Sequence, residues 1–221
     1  MTTKPDNMPQ VKQFWNDIAH QFDAIYTGEK KSAFARALDK WLRKDIYQRF
    51  DWVMERSGDV HGKRICDVGC GSGRFVTALA QRGAEHVTGV DIAPEMLKIA
   101  RELCTKDGVI GRCTFINTDV NDWKTDEKFD ETIAIGFWDY IADPKSRLDV
   151  IRRITKKTFL SAWPRAGTIR APIRKARLTA LGCPVYFFKK DDVYRMLQDA
   201  GFRVDSCEVY GQLFCVAATA V

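Results

Sequence analysis

The chain has 221 residues, 45% of them hydrophobic and 29% charged, with a formal net charge of +6. That bounds it to one domain, or one with a small appendage, with room for a sizeable core, and it excludes a fibrous or low-complexity protein. No apolar run approaches a membrane span, residues 1–9 lack the apolar region of a signal peptide, and seven scattered cysteines without a C-x-x-C pair argue for free thiols in a reducing cytoplasm, against a zinc site or disulfide framework.

Residues 1–9 read as a disordered leader. From 10 to 26 the apolar positions Phe14, Ile18, Phe22 and Ile25 recur at helical spacing, with Trp15, Ala19 and Tyr26 beside them. His20, on the same helix, is a candidate base. After a break around Gly28, a second helical face carries Phe34, Leu38, Trp41, Leu42, Ile46, Phe50 and Val53. Its other side holds Arg36, Lys40, Arg43, Lys44 and Arg49 and reads as a solvated face. Ser57-Gly58 stops this helix, so 10–57 forms one helical segment ahead of a domain at 58–221.

Strands and helices then alternate, the signature of a parallel sheet covered by helices. Residues 63–68 predict the first strand. It runs into Asp67-x-Gly69-x-Gly71-x-Gly73, and a helix follows over about 72–82. Glycine is required where the backbone takes positive φ or presses against a ligand, and an opening helix offers free N–H donors. The spacing is G-x-G-x-G, whereas the dinucleotide fingerprint is G-x-G-x-x-G, and no Lys-Ser/Thr follows as in a phosphate loop. A carboxylate inside the motif would repel pyrophosphate and attract an ammonium or a sulfonium. A second strand, 86–90, ends in Asp91, 24 residues beyond Asp67. A carboxylate at that place accepts ribose hydroxyls in dinucleotide folds.

These residues resemble motif I and the following acid of the class I S-adenosylmethionine-dependent methyltransferases. The resemblance covers most of the chain from residue 10 onward. It implies a Rossmann-like α/β fold, with a seven-stranded sheet of order 3-2-1-4-5-7-6, strand 7 antiparallel and helices on both faces. It implies S-adenosyl-L-methionine as cofactor, held at Asp67, Gly69, Gly71, Gly73 and Asp91, with Ile92 beside the adenine. The segment from Phe14 to Tyr26 resembles the family's N-terminal lid, which makes Tyr26 a lid contact.

The third strand is expected over 113–117, followed by Thr118-Asp119-Val120. Asp119 resembles the family's acid that accepts from the adenine amino group, with the Val120 N–H facing the ring. A fourth strand, 130–135, leads to Gly136-Phe137-Trp138-Asp139-Tyr140, and ligands of open α/β sheets sit beyond such carboxyl ends. Trp138, Asp139 and Tyr140 are therefore pocket candidates, Asp139 and Tyr140 also candidate catalytic groups. The loop lacks the Asn/Asp-Pro-Pro-Tyr/Phe tetrad of amine methylases. Asp143-Pro144 caps a helix, and residues 158–163 predict strand five.

Residues 165–181 carry Arg165, Arg170, Arg174, Lys175 and Arg177 and no acid. In a basic insert over 165–188, Arg165, Arg170 and Arg174 are candidates to hold an anionic acceptor, and Tyr186 to line its pocket. Cys183 precedes a proline and does not read as a nucleophile. A helix over 189–200 and a hairpin, 202–209 with 212–218, close the chain.

The reading that follows is methyl transfer to a small, anionic or aromatic molecule. Loose similarity to magnesium-protoporphyrin methyltransferases, which esterify a propionate, adds a carboxyl O-methyltransferase as an alternative. An RNA or protein methyltransferase stays open, although no nucleic-acid module is visible. So do a non-catalytic cofactor-binding module and, against the glycine spacing, a nicotinamide dehydrogenase. No metal is expected, and oligomeric state is not legible.

Overall fold

A computed structural model describes residues 7–27 and 44–221, with side chains at all of these except 20–27, 44–46 and 170. Two helices lead: α1 (Met8–Thr27) and α2 (Lys44–Ser57). Seven strands follow: β1 (Arg64–Val68), β2 (His86–Asp91), β3 (Cys113–Asn117), β4 (Phe129–Ile135), β5 (Thr155–Pro164), β6 (Phe202–Tyr210) and β7 (Leu213–Ala220). They make one sheet of order β3-β2-β1-β4-β5-β7-β6. β1 to β5 pair in parallel, and β7 runs antiparallel to both β5 and β6. This is the expected fold, down to the reversed strand.

The connecting helices are α3 (Arg74–Gln81), α4 (Pro94–Lys106), α5 (Pro144–Ile154), α6 (Arg170–Ala180) and α7 (Lys190–Asp199). Their starts follow local chemistry. Pro94 and Pro144 fix the first-turn φ where a missing N–H costs nothing. The Asp143 carboxylate accepts the Lys145 N–H at 3.2 Å, capping α5.

Both sheet faces are buried, which is why β1 reads as an almost unbroken apolar run. One face packs Trp52 and Val53 of α2, Val76 and Leu79 of α3, and Leu97 and Ala100 of α4 against Ile65, Val87, Ile133 and Leu160. The other packs Met8 and Val11 of α1, Leu148 and Ile151 of α5, and Val193 and Leu197 of α7 against Val68, Phe159, Trp163 and Phe202. Full burial of each such side chain contributes about 1.5–3 kcal/mol. No helix among the described residues is long and apolar enough to cross a membrane.

Three boundaries differ from the expectation. Of the expected leader, Met8 and Pro9 are helical and Met8 is buried in the core, while residues 1–6 lie outside the described residues. β5 begins at Thr155, directly after α5, because Thr155 pairs with Phe129 across a register shift. The second helical face lies partly outside the described residues, and only its 44–57 portion is seen.

Candidate functional site

The chain runs from β1 to β2 on one side of the sheet and places β4 on the other, so the strand order reverses beside β1. Loops leaving the carboxyl ends of β1 and β4 diverge there and open a crevice. A cavity of about 950 Å³ occupies it, lined by the glycine loop, the ends of β2 and β4, Thr118 to Val120, and parts of α1, α2 and α6.

At one end of the cavity, the three glycines have φ of +72° (Gly69), +51° (Gly71) and +74° (Gly73), all left-handed. Their surroundings differ. A Cβ on Gly73 would sit 2.7 Å from the Ala100 Cβ, so this glycine lets α3 pack on α4. A Cβ on Gly69 would sit 2.8 Å from the Phe137 ring. A Cβ on Gly71 would meet nothing within 4 Å, and Gly71 lines the cavity. Gly71 thus leaves bare backbone open to the cavity.

Asp91 ties this loop to β2. Its Oδ2 accepts the Gly71 N–H at 2.8 Å and its Oδ1 the Ala93 N–H at 2.8 Å. Burial pushes its carboxyl above the ordinary range, against the pull of the Ala93, Gly71 and Ile92 N–H groups. Asp67 lies just behind. It is buried, Oδ2 has no hydrogen-bond partner, and burial together with the neighbouring Asp91 charge pushes its carboxyl well above the usual value. A buried, unmatched acid beside a second acid is a local deficit of positive charge. A ligand carrying an ammonium and a sulfonium, with a ribose diol for Asp91, fits this donor and acceptor set.

Ile92, Asp119 and Val120 line the same cavity. Asp119 is not a free acceptor, however. Its Oδ2 takes a 2.9 Å hydrogen bond from Arg147 on α5, and its Oδ1 accepts the Asn121 N–H at 2.9 Å. Both partners of that ion pair are almost fully buried, and the pair fixes the carboxylate.

The other end of the cavity is aromatic and basic. Trp15, Tyr47, Phe50, Phe137 and Tyr140 supply rings, and Arg49, Arg174 and Arg177 supply cations. The turn at 138–140 organises it. Tyr140 meets Trp15 edge-on at 5.4 Å and its carbonyl accepts from the Asn7 side chain at 3.3 Å. The Asp139 carbonyl accepts the Tyr186 N–H at 2.8 Å, and the Asp139 carboxylate is ion-paired with Arg174. Burial and the Asp139 charge push the Tyr140 phenol above its ordinary value.

Several candidates take other places. Trp138 is fully buried and stacks on Trp163 at 4.1 Å, in the core and off the cavity wall. Arg165 donates to the Gly211 carbonyl at 2.9 Å and lies over the Phe214 ring, which staples the β6–β7 turn to the end of β5. Tyr186 also stands outside the lining. Asp139 lines the cavity with its carboxylate ion-paired to Arg174. The side chains of His20, Tyr26 and Arg170 lie outside the described residues. Conversely, Arg49 belongs to the cavity wall and not to a solvated face. The signal for it was available: the helix with Phe50 on one side needs Arg49 near the same edge. Phe137 and Arg177 were also passed over.

Comparison with known proteins agrees with this geometry. Residues 59–201 match the methyltransferase domain family. Among curated proteins, the chain is 33% identical over 116 residues to the ubiquinone biosynthesis O-methyltransferase of Aeromonas salmonicida (strain A449), covering 51% of this chain and 48% of that one. It is 35% identical over 100 residues to the protein of the same name from Bordetella avium (strain 197N), covering 44% and 40%. The chain therefore spans about half the length, or less, of these relatives. Among solved structures, magnesium protoporphyrin IX methyltransferase from Synechocystis PCC 6803 with bound SAH superposes with a TM-score of 0.78 at 21% identity, covering 96% of this chain and 98% of that one. The [4+2]-cyclase SpnF superposes at 0.72 with 17% identity, covering 98% of this chain and 97% of that one, so the fold alone does not name a reaction. On the matched domain, with the glycine loop and acidic pair in place, the chain belongs to the methyltransferase domain family.

Proposed function

We propose that this enzyme methylates a small anionic molecule with a flat or aromatic body, and that the accepting oxygen arrives already ionised, a carboxylate ahead of a phenol. One observation carries the reading: the acceptor end of the cavity joins aromatic rings to Arg49, Arg174 and Arg177, while its one carboxylate, Asp139, is spent on Arg174. Among the described side chains there, none is placed to take a proton. A phenol of ordinary pKa would need a base, whereas a carboxylate needs none at neutral pH.

Bound S-adenosylmethionine supplies a methyl group on a sulfonium, an electrophile that needs no activation by acid. In this reading the chain's residues bind, align and exclude water. Gly71 and Asp91 hold the adenosyl end, Asp67 offsets the positive charge, and Asp119 and Val120 face the adenine. Arg174, held by Asp139, and Arg177 fork onto the acceptor's anionic groups. Trp15, Phe137 and Tyr140 stack beside its body and keep water from the methyl. The cavity is at the upper end of the ~300–1,000 Å³ of small-molecule sites, enough for cofactor and acceptor together.

The magnesium-protoporphyrin reading is the specific form of this proposal. A tetrapyrrole propionate is an ionised carboxylate on a flat body, and the solved enzyme named for that substrate covers nearly the whole chain. The curated relatives are named instead for ubiquinone biosynthesis, which favours a phenolic acceptor as the second reading. A methyl-labelled cofactor with magnesium protoporphyrin, polyprenyl phenols and a metabolite extract separates them. Label released as methanol by mild alkali marks an ester. Label that survives alkali marks an ether and overturns the carboxylate reading. Label confined to RNA or protein overturns the small-molecule reading. Seven free cysteines support a reducing, cytoplasmic setting.

A further inference from the structure

Helix α6 is built the wrong way round for a helix that merely covers the sheet. Its inner side is narrow: Ala171 and Leu178 are buried and Arg174 turns inward to Asp139. Its outer side is apolar. Ile169 at the N-terminus is 89% exposed, Ile173 68%, and Leu181 at the C-terminus 61%. Pro172, Ala176 and Ala180 are exposed as well. At 3.6 residues per turn, positions 169, 172, 173, 176 and 180 fall within roughly 100° of arc, with Leu181 beyond it at the C-cap. Lys175 and Arg177, both exposed, flank that arc on its two sides. The whole stretch 165–181 carries five cations and no acid.

An exposed apolar stripe bordered by cations, with no counter-charge on its own segment, complements one kind of surface: apolar just below and negative at the top. That is the interface of an anionic bilayer. We infer that α6 is a peripheral membrane contact, seating its isoleucine stripe among the acyl chains with Lys175 at the headgroups and Arg177 at the mouth of the cavity. Charge complementarity favours lipid over a soluble protein partner, because the cations frame the stripe on both sides and do not gather into one patch. The placement has a consequence for the enzyme. Ile173, Arg174 and Arg177 also line the cavity, so docking would set the cavity's mouth at the lipid surface, where an amphiphilic acceptor dissolves.

The test uses the full chain with neither cofactor nor acceptor, so its outcome is independent of the acceptor assignment. The protein is sedimented with vesicles of phosphatidylcholine alone or mixed with phosphatidylglycerol, at low and high salt. Wild type is expected to sediment with the phosphatidylglycerol vesicles, and to be released by salt. Lys175→Ala should weaken binding about fivefold, and Ile169→Glu by more, with circular dichroism and the melting temperature unchanged. Both residues lie off the catalytic cavity, and Lys175→Ala is a surface change that tests the idea even if Ile169→Glu folds poorly. Absence of wild-type sedimentation, equal binding to neutral vesicles, or binding unaltered by both substitutions overturns the inference. Capture of a soluble protein on this face without lipid binding does the same.

Discussion

Arg174 of α6 donates to the Asp139 carboxylate, which lies in the turn after β4 and is 5% exposed, while the Arg174 side chain is 37% exposed. The pair joins the basic segment to the sheet and holds an arginine at the cavity wall. Replacing Arg174 by Ala strands a buried carboxylate. Because Arg174 reaches solvent, the expected cost is about 2 kcal/mol, below the ~3–5 kcal/mol of a fully buried pair. Removing both charges together, as Asp139→Asn with Arg174→Met, should cost less than the single change. Urea denaturation of the wild type and these two variants checks the order, and a double variant as unstable as Arg174→Ala would refute it.

The glycines should separate stability from binding. Gly73→Ala drives a methyl into Ala100 at positive φ and should lower stability by about 2–4 kcal/mol. Gly71→Ala meets open space, so only the backbone cost of about 1–2 kcal/mol applies. It should nevertheless weaken S-adenosylhomocysteine more than Gly73→Ala does. Melting curves with and without that ligand measure both effects.

Asp91 has two duties, holding the Gly71 N–H and presenting lone pairs to a ribose. Asp91→Ala loses both and should weaken the cofactor by roughly 2–3 kcal/mol, on the order of a hundredfold. Asp91→Asn keeps acceptor capacity on one oxygen and should lose less. Calorimetry with S-adenosylhomocysteine decides, and equal losses would argue against the diol role.

Asp67 sets a pH dependence whose sign is fixed by its environment. Its carboxyl is raised in the folded state by burial and by Asp91. The stability it contributes is therefore full below about 3.8, the unfolded value, and is lost as pH rises through the folded value. Asp67→Asn should make the ligand-free protein more stable at neutral to alkaline pH and flatten that decline. The same change should weaken S-adenosylmethionine, because the positive charge loses its partner. Denaturation across pH, paired with binding at one pH, checks both halves.

The alternation of strands and helices, the β1–β2 glycine turn and the acid at the end of β2 were all legible in the sequence. They rest on short-range constraints: positive φ, first-turn prolines and apolar runs act within a few residues of chain. The order 3-2-1-4-5-7-6 came from family resemblance, and the sheet bears it out. The destinations of the 137–140 and 165–177 side chains were not legible, because each depends on what a distant element brings to it. Trp138 enters the core because β5 supplies Trp163 to stack on. Arg165 leaves the cavity because the β6–β7 turn offers the Gly211 carbonyl. Arg174 reaches the cavity wall because Asp139 is buried within its reach. Local spacing thus determined the backbone scaffold and the glycine loop. Only the tertiary structure decided which arginines and rings line the cavity, since a charge settles wherever the fold leaves an opposite charge or a carbonyl to satisfy it.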